Sequence, residues 1–320
     1  MYNLDKKLLE QKSNEIGFIR DNLEKVYRLI DILSFINGHP LLSESLVLKG
    51  GTAINLTVFN LPRLSVDIDL DFNRDCTRDE MLKTREEISS VLSRYMIASG
   101  YTISPDKSKA RHSLDSGVYY YLNAGGNRDN IKIEINYSMR CHILPPQLST
   151  VSVDFMDETL KVNALSPTEL FGSKIKALLE RTAARDLYDI NNMIKFGLFD
   201  DSELPMLKKC VLFYKTVGGT GDFSEKITTG SINDMTFTKI RHSLLPVLRK
   251  GEIVDLESMK NTVLIFLNEL LILSDNEKEY LHEFSLGSYR PELLFDDDEI
   301  LQRIHAHPMA IWKCNKIRRP

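Results

Sequence analysis

Residues 48–72 of the chain read LKGGTAINLTVFNLPRLSVDIDLDF. Lys49-Gly50-Gly51-Thr52 follows a short apolar run and precedes residues 53–58, whose composition is typical of a helix. Residues 65–72 then alternate strictly between polar and apolar side chains, which predicts a strand. Its polar face carries three carboxylates: Asp67, Asp69 and Asp71.

Three carboxylates on one strand face form an unusual pattern. Aspartate is a poor strand former, and like charges two residues apart lie only about 7 Å from each other. Alternation alone is also typical of an exposed polar face. The glycine pair upstream favours a functional interpretation, because glycines between a strand and a helix expose backbone N–H groups to an anion. Since carboxylates bind divalent cations, the combination predicts a site for a nucleoside triphosphate with magnesium.

The same residues resemble the polymerase-β-type nucleotidyltransferase superfamily, in which a Gly-Gly or Gly-Ser turn precedes Asp-x-Asp on a strand. The longer string is similar to one branch, the AbiEii-type nucleotidyltransferase toxins, which include the MenT toxins. Arg63 and Ser65 match the AbiEii form of the motif, although the gap from Gly51 to Asp67 is a little longer than the usual superfamily spacing. The resemblance implies an α+β fold: a polymerase-β-like domain with a mixed β-sheet and helices, then a mainly α-helical C-terminal domain.

A second alternating run, residues 131–138, predicts another strand, and Glu134 lies in the middle of its polar face. The superfamily places a third metal-binding carboxylate on a strand next to Asp-x-Asp. The resemblance assigns that position to Glu134. The alternative is a surface glutamate beside Lys132.

The remaining sequence predicts where helices begin and where the domains divide. Residues 4–37 have the apolar spacing of a single helix, and Thr77 with Glu80 forms a capping box before a second one. Ser166, followed by a proline and then a glutamate at the third helical position, predicts another helix start. We therefore expect a nucleotidyltransferase domain with an N-terminal helix over residues 1–165. Residues 166–320 are expected to form a helical domain that contributes basic residues to the active-site cleft.

If the helix that starts after Ser166 is continuous, it carries Lys174, Arg181 and Arg185 on one stripe. Basic residues on one helix face are also common on solvated surfaces. Residues 174–189 follow the string K-x-x-A-L-x-x-R-x-x-x-R-D-x-x-D, which closely resembles a second conserved block of the AbiEii family. The resemblance implies a catalytic Lys174 and a catalytic aspartate, with Asp186 preferred to Asp189. The full set of nucleotide-binding residues that we expect is Gly50, Gly51, Thr52, Arg63, Ser65, Lys174, Arg181 and Arg185.

Net charge and the cysteine pattern limit the partners, metal sites and cellular compartment that the sequence allows. The formal net charge is −4, so any nucleic acid must bind to a local basic patch rather than to the chain as a whole. One such patch is Lys313, Lys316, Arg318 and Arg319, for which a solvated tail is the alternative. The four cysteines form no CxxC pair, which favours a reducing compartment and argues against a zinc site. The charged N-terminus does not resemble a signal peptide, and no run is long and apolar enough to span a membrane, so we expect a cytoplasmic protein.

The sequence thus predicts transfer of a nucleoside monophosphate from an NTP to an acceptor hydroxyl. Asp67, Asp69 and Glu134 would bind Mg²⁺ (or Mn²⁺), and Lys174 and Asp186 would complete the catalytic set. The resemblance implies the toxin of a toxin–antitoxin or phage-defence system, with a separately encoded antitoxin and the 3′ end of tRNA as acceptor. The alternatives are a housekeeping or antibiotic-modifying nucleotidyltransferase and a non-catalytic nucleotide-binding module. The intact carboxylate set argues against the last of these.

Overall fold

A computed structural model describes residues 5–111, 113–151, 153, 159–219, 223 and 227–319. The chain forms two compact units. The first unit consists of Met1–Cys141, Pro146–Leu165 and Val247–Glu252, and the second of His142–Pro145, Ser166–Pro246 and Ile253–Pro320.

The first unit combines helices with a sheet. Its described helices are α1 (Lys6–Ile16), α2 (Arg20–Gly38), α3 (Pro40–Ser45), α4 (Gly50–Ala53), which continues as a π-helical segment (Ile54–Val58), and α5 (Arg78–Ala98). Its described strands are β1 (Leu46–Lys49), β2 (Asp67–Asn73), β3 (Thr102–Ile103), β4 (Lys109–Ala110), β5 (Leu114–Leu122), β6 (Arg128–Arg140), β7 (Gln147–Val151) and β8 (Leu160–Ala164).

The strands form one mixed sheet in the order β3-β5-β6-β2-β1-β8-β7, and β4 adds to β5. Strand β2 lies at the centre, antiparallel to β1 and parallel to β6. The alternation of β2 holds: Ile68, Leu70 and Phe72 are buried, while Asp67 and Asp69 point to the opposite, partly exposed face. The predicted α+β class with a mixed sheet is confirmed.

The predicted single helix over residues 4–37 is wrong, because the chain turns at Gly17. Gly17 adopts φ +81°, its N–H donates to the Ser13 carbonyl at 3.0 Å, and α2 begins only at Arg20. The Ser13 hydroxyl also donates to the Phe18 carbonyl at 2.6 Å, which stabilises the break. By contrast, the capping box is present: Thr77 Oγ1 accepts from the Glu80 N–H at 3.3 Å, and Glu80 accepts from the Thr77 N–H at 2.8 Å.

The second unit is built from helices. Those described are α6 (Pro167–Arg181), α7 (Ala184–Lys195), α8 (Leu204–Val217), α9 (Phe237–Lys239), α10 (Leu256–Leu270), α11 (Asp275–Ser285), α12 (Asp298–Ile304) and α13 (Pro308–Arg318). Shorter 3₁₀ or π-helical turns in this half of the chain are Gly230–Asp234, Ile240–Leu244, Leu245–Val247 and Pro291–Leu293. Ser166 caps α6 as predicted, since its side chain accepts from the Glu169 N–H.

The continuous helix expected beyond Ser166 is in fact two helices. Thr182 takes a left-handed conformation with φ +47°, which ends α6 at Arg181, and α7 starts at Ala184. Lys174 and Arg185 therefore lie on different helices, and the predicted common stripe does not exist. Among the described residues, no helix is both long and apolar enough to cross a bilayer.

Candidate active site

The glycine turn and the acidic strand are in direct contact. Gly50 follows β1 with φ +71°, a conformation that favours glycine. A Cβ atom placed on Gly50 would lie 2.6 Å from Oδ2 of Asp69. The Asp69 carboxylate therefore packs against the backbone where α4 begins, and only glycine meets both requirements at position 50.

The second glycine forms the rest of the turn with an arginine and two hydroxyls. A Cβ on Gly51 would lie 2.9 Å from Nη2 of Arg63 and 3.1 Å from Oγ of Ser65. Arg63 is only 2% exposed. The Thr52 hydroxyl lies 2.9 Å from the Ser65 hydroxyl and donates to the Asp67 carbonyl. The structure thus brings together all five residues of the first block predicted to bind phosphate. Since the turn offers backbone N–H groups beside a guanidinium, it has the chemistry of an anion site.

The predicted carboxylates share one face of the central strands. Asp69 on β2 is in register with Glu134 on β6, and Asp67 is in register with Lys132. Lys132 Nζ lies 2.9 Å from Oε2 of Glu134. Partial burial would lower the pKa of Lys132, but the hydrogen bond to Glu134 and the charges of Glu134, Asp67 and Asp69 outweigh it and raise that pKa. Glu134 therefore neighbours Asp69, as expected of a third metal-binding carboxylate, and also pairs with Lys132, as expected of a surface glutamate.

Asp71 differs from the other two aspartates of β2. It is 1% exposed, and Lys49 Nζ lies 2.5 Å from its Oδ1. Lys49 is also opposite Asp69 in the β1–β2 register. Together with Glu134, Lys49 and Asp69 line a cavity of about 300 Å³. Sequence reasoning gave Lys49 no role, although a lysine just before the glycine pair was the available signal.

The donor set fits a hard divalent cation. Carboxylate oxygens are the preferred ligands of Mg²⁺ and Mn²⁺, and three carboxylates face one way beside the glycine turn. As the side chains stand, no three His, Cys, Asp or Glu side chains in the described part of the chain are close enough to hold one ion. Glu134, one of the three predicted carboxylates, is held by its contact with Lys132.

The second block forms a separate charged cluster within the second unit. Lys174 is only 7% exposed, and its Nζ lies 3.0 Å from Oδ1 of Asp186 and 3.2 Å from Oδ2 of Asp189. Arg181 holds Asp186 with two contacts, Nε at 2.7 Å and Nη2 at 3.0 Å. Burial would raise the pKa of Asp186, but the Lys174 charge and the Arg181 hydrogen bonds outweigh it and lower that pKa. Both aspartates considered from the sequence thus contact the predicted catalytic lysine.

Arg185 differs from the other basic residues of this block. Its Nε donates to the Ser243 carbonyl at 2.7 Å. Arg181, although bonded to Asp186, keeps 63% of its side chain exposed. Of the two arginines, Arg181 is therefore the one that lies beside Lys174 and can still reach a ligand.

The basic C-terminal patch needs correction at Lys313. Its Nζ donates to the Thr216 carbonyl at 2.9 Å and to the Gly219 carbonyl at 2.5 Å, so it caps the end of α8. Burial lowers the pKa of Lys313 to about 8. Lys313 is therefore a structural residue rather than part of a solvated basic tail. Trp312 is exposed, and Lys316 Nζ lies 5.5 Å from its ring centre.

Comparisons with known proteins identify the family and the fold of the chain. The model of the family described as "Nucleotidyl transferase AbiEii toxin, Type IV TA system" matches residues 32–257, which include both blocks. MenT4, a nucleotidyltransferase toxin from Mycobacterium tuberculosis H37Rv, has a similar fold: the TM-score is 0.62 at 15% identity, over 99% of this chain and 100% of that chain. No significant match was found among proteins with curated descriptions.

Fold and family together define a nucleotidyltransferase, as predicted. The chain belongs to the AbiEii nucleotidyltransferase toxin family of type IV toxin–antitoxin systems. Membership in this family implies an NTP as substrate and an antitoxin as partner.

Proposed function

We propose that this toxin transfers a nucleoside monophosphate from an NTP to a nucleic-acid hydroxyl in a magnesium- or manganese-dependent reaction. The observation that carries the proposal is the packing of the Asp69 carboxylate against Gly50, with Glu134 in register on the next strand. A phosphate held by the glycine turn would lie beside those carboxylates. That is the arrangement that nucleotidyl transfer requires.

The residues of the first unit have separate roles in this proposal. Gly50, Gly51 and Thr52 present backbone N–H groups to the phosphates, and Arg63 and Ser65, which lie against Gly51, complete the anion site. Asp67, Asp69 and Glu134 hold the cation. When bound, Mg²⁺ or Mn²⁺ would supply positive charge that polarises the reacting phosphate and activates the attacking hydroxyl.

Glu134 has a further task in the proposed site. In the structure its carboxylate is bonded to Lys132, which is partly exposed and therefore free to move away. Release of that contact would let Glu134 turn towards Asp69, its neighbour in register. Lys132 would then remain as a positive charge next to the acceptor.

The second unit is proposed to contribute Lys174 and Asp186. The Lys174 ammonium is fixed between Asp186 and Asp189 and would neutralise charge that develops on the departing pyrophosphate. Arg181 would assist, and Arg185 is kept in the proposed nucleotide-binding set. The division into a nucleotidyltransferase domain (1–165) and a helical domain (166–320) is part of the same proposal.

We propose the 3′ end of tRNA as the acceptor and the cytoplasm as the place of action, in a system that defends against phage. A toxin must damage something abundant and essential, and tRNA ends meet both conditions. The support for this acceptor is the assignment to a toxin family together with that requirement.

The experiment is expression of the wild-type chain, of Asp67→Asn, and of Glu87→Gln as an exposed carboxylate control on α5. Wild type and Glu87→Gln should arrest growth, and Asp67→Asn should not. Sequencing of RNA 3′ ends from arrested cells should reveal added nucleotides on tRNA. Growth arrest by Asp67→Asn at equal expression would refute the role of the carboxylates, and unaltered tRNA ends would refute the acceptor.

A further inference from the structure

Strands β5 and β6, with the turn before β4, bring two exposed cations to one aromatic ring. The guanidinium of Arg128 lies 3.9 Å from the ring centre of Tyr120, and Lys107 Nζ lies 5.6 Å from it. The hydrogen bond from Lys107 lowers the pKa of the Tyr120 hydroxyl. Lys109 on β4 is a third exposed cation at this edge. We call Lys107, Lys109, Tyr120 and Arg128 the Tyr120 patch.

The Tyr120 patch lies on the same face of the sheet as the proposed catalytic carboxylates. In antiparallel strands, residues directly opposite each other share a face. Ser116 of β5 is opposite Glu134, and Tyr120, four residues further along β5, is opposite Asn130 of the same polar row. Arg128 and Lys109 belong to this face as well, since they are opposite Leu122 and Ser116 respectively.

Two acidic residues of β5 and β6 point away from the patch. Asp129 and Asp115 fall on the other face of their strands, where Asp129 pairs with Lys25 at 2.7 Å and Asp115 with Arg85 at 2.6 Å. Leu122, beside Arg128, is 70% exposed. The patch therefore presents positive charge, an aromatic ring in contact with an arginine and an apolar side chain together. Single-stranded nucleic acid is recognised by this combination, since bases stack on aromatic rings and on arginine planes while cations hold phosphates.

The order of the strands indicates which substrate would reach the patch. The glycine turn follows β1, on one side of β2, whereas Glu134 and then Tyr120 lie on β6 and β5, on the other side. The triphosphate and the patch are therefore on opposite sides of the catalytic strand. An acceptor strand approaching from β5 would meet Glu134 before it meets Asp69.

The sheet geometry sets a distance. With strands about 4.8 Å apart and residues about 3.3 Å apart, Tyr120 lies about 14 Å from Glu134, one strand and four residues away. Stacked nucleotides rise about 3.4 Å each, so this span corresponds to about four nucleotides.

We propose that the Tyr120 patch is the acceptor-strand site of this enzyme: it holds a single-stranded nucleic acid about four nucleotides upstream of the 3′ hydroxyl placed at Glu134. This inference rests on the proposed function, because it assumes that the acceptor is a nucleic acid. It adds that the acceptor must be single-stranded and long enough to reach Tyr120.

The test measures binding of 3′-deoxy RNA oligonucleotides, two and eight nucleotides long, to the full chain, by fluorescence anisotropy. The variants are Lys107→Ala/Arg128→Ala and Tyr120→Leu, and the matched control is Arg94→Ala, an exposed arginine on α5. Either patch variant should weaken binding of the eight-nucleotide strand about tenfold or more. The double variant should also reduce the salt dependence, by about 0.7 in slope for each cation removed. Binding of the dinucleotide and of NTP should stay at the wild-type level.

The possible outcomes separate the inference from the proposed function. If the patch variants bind the eight-nucleotide strand as tightly as Arg94→Ala does, the patch is not the acceptor site, whereas transfer to tRNA by those variants would leave the proposed function intact. Equal weakening for the dinucleotide would also overturn the inference, since the effect would not depend on length. Wild-type protein that binds NTP but no RNA, and labels none, would reject the nucleic-acid acceptor and the inference together.

Discussion

Gly50→Ala tests the two reasons why position 50 must be glycine, its positive φ and its contact with the Asp69 carboxylate. An alanine at φ +71° costs about 1–2 kcal/mol of stability, because a left-handed conformation brings Cβ close to the carbonyl. The new Cβ would also lie 2.6 Å from Asp69 Oδ2, so the carboxylate must retreat by about 0.8 Å to reach the 3.4 Å of ordinary contact. Because misplacement of a catalytic group by about 1 Å can cost about 100-fold, we expect turnover to fall by that order.

The matched control is Gly100→Ala. Gly100 has φ +82°, and a Cβ there would meet nothing within 4 Å. Both variants should thus lose about 1–2 kcal/mol in urea unfolding. Only Gly50→Ala should lose nucleotidyl transfer, measured with labelled NTP under saturating conditions.

Two results would refute this reasoning. Full activity in Gly50→Ala would mean that the position of Asp69 against the turn is unimportant. An equal loss of activity in Gly100→Ala would mean that general destabilisation, rather than displacement of Asp69, explains the effect.

The remaining predictions concern the charged residues of each unit. Asp67→Asn should abolish transfer with an unchanged melting temperature in the absence of NTP, and loss of folding in this variant would contradict a purely catalytic role. Lys174→Ala should reduce turnover by orders of magnitude and, because Asp186 and Asp189 stay buried without their ammonium, lower stability by about 3–5 kcal/mol; Lys195→Ala, at an exposed position of α7, should do neither. The lowered pKa of Asp186 contributes stability above its unfolded pKa of about 3.9, and this contribution is lost as pH falls through the still lower folded value. Unfolding measured from pH 6 to pH 2 should therefore show a flatter acid limb in Asp186→Asn, and an unchanged acid limb would contradict the assignment.

Features with a strict local period were predictable from the sequence. The alternation around Asp67 and Asp69, and that around Glu134, specify which side chains share a face, and both strands form as expected. The capping box of Thr77 and Glu80 was predictable for the same reason, since all its atoms come from four consecutive residues. These patterns are local, so no knowledge of distant parts of the chain is needed.

Helix breaks were not predictable in the same way. At Gly17 and Thr182 a single residue takes a left-handed conformation, and the apolar spacing on either side continues almost unchanged. A lone glycine within a helical pattern is compatible with either outcome. Thr182 gives even less warning, because threonine has no preference for that conformation.

Contacts between distant segments were beyond sequence reasoning. The pairing of Lys49 with Asp71 depends on the β1–β2 register, and the capping of α8 by Lys313 depends on where α13 packs. Residues 119–121 are three consecutive tyrosines in the sequence, but the contact of Arg128 with the ring of Tyr120 depends on the pairing of β5 with β6.

The most direct test of the central claim is nucleotidyl transfer itself. The full chain is incubated with total tRNA, Mg²⁺ and each of the four NTPs in turn, labelled at the α-phosphate. We expect wild-type protein to attach label to tRNA from at least one NTP with release of pyrophosphate, and Asp67→Asn to attach none. Equal labelling by Asp67→Asn, or labelling by neither protein while both bind NTP, would contradict the account.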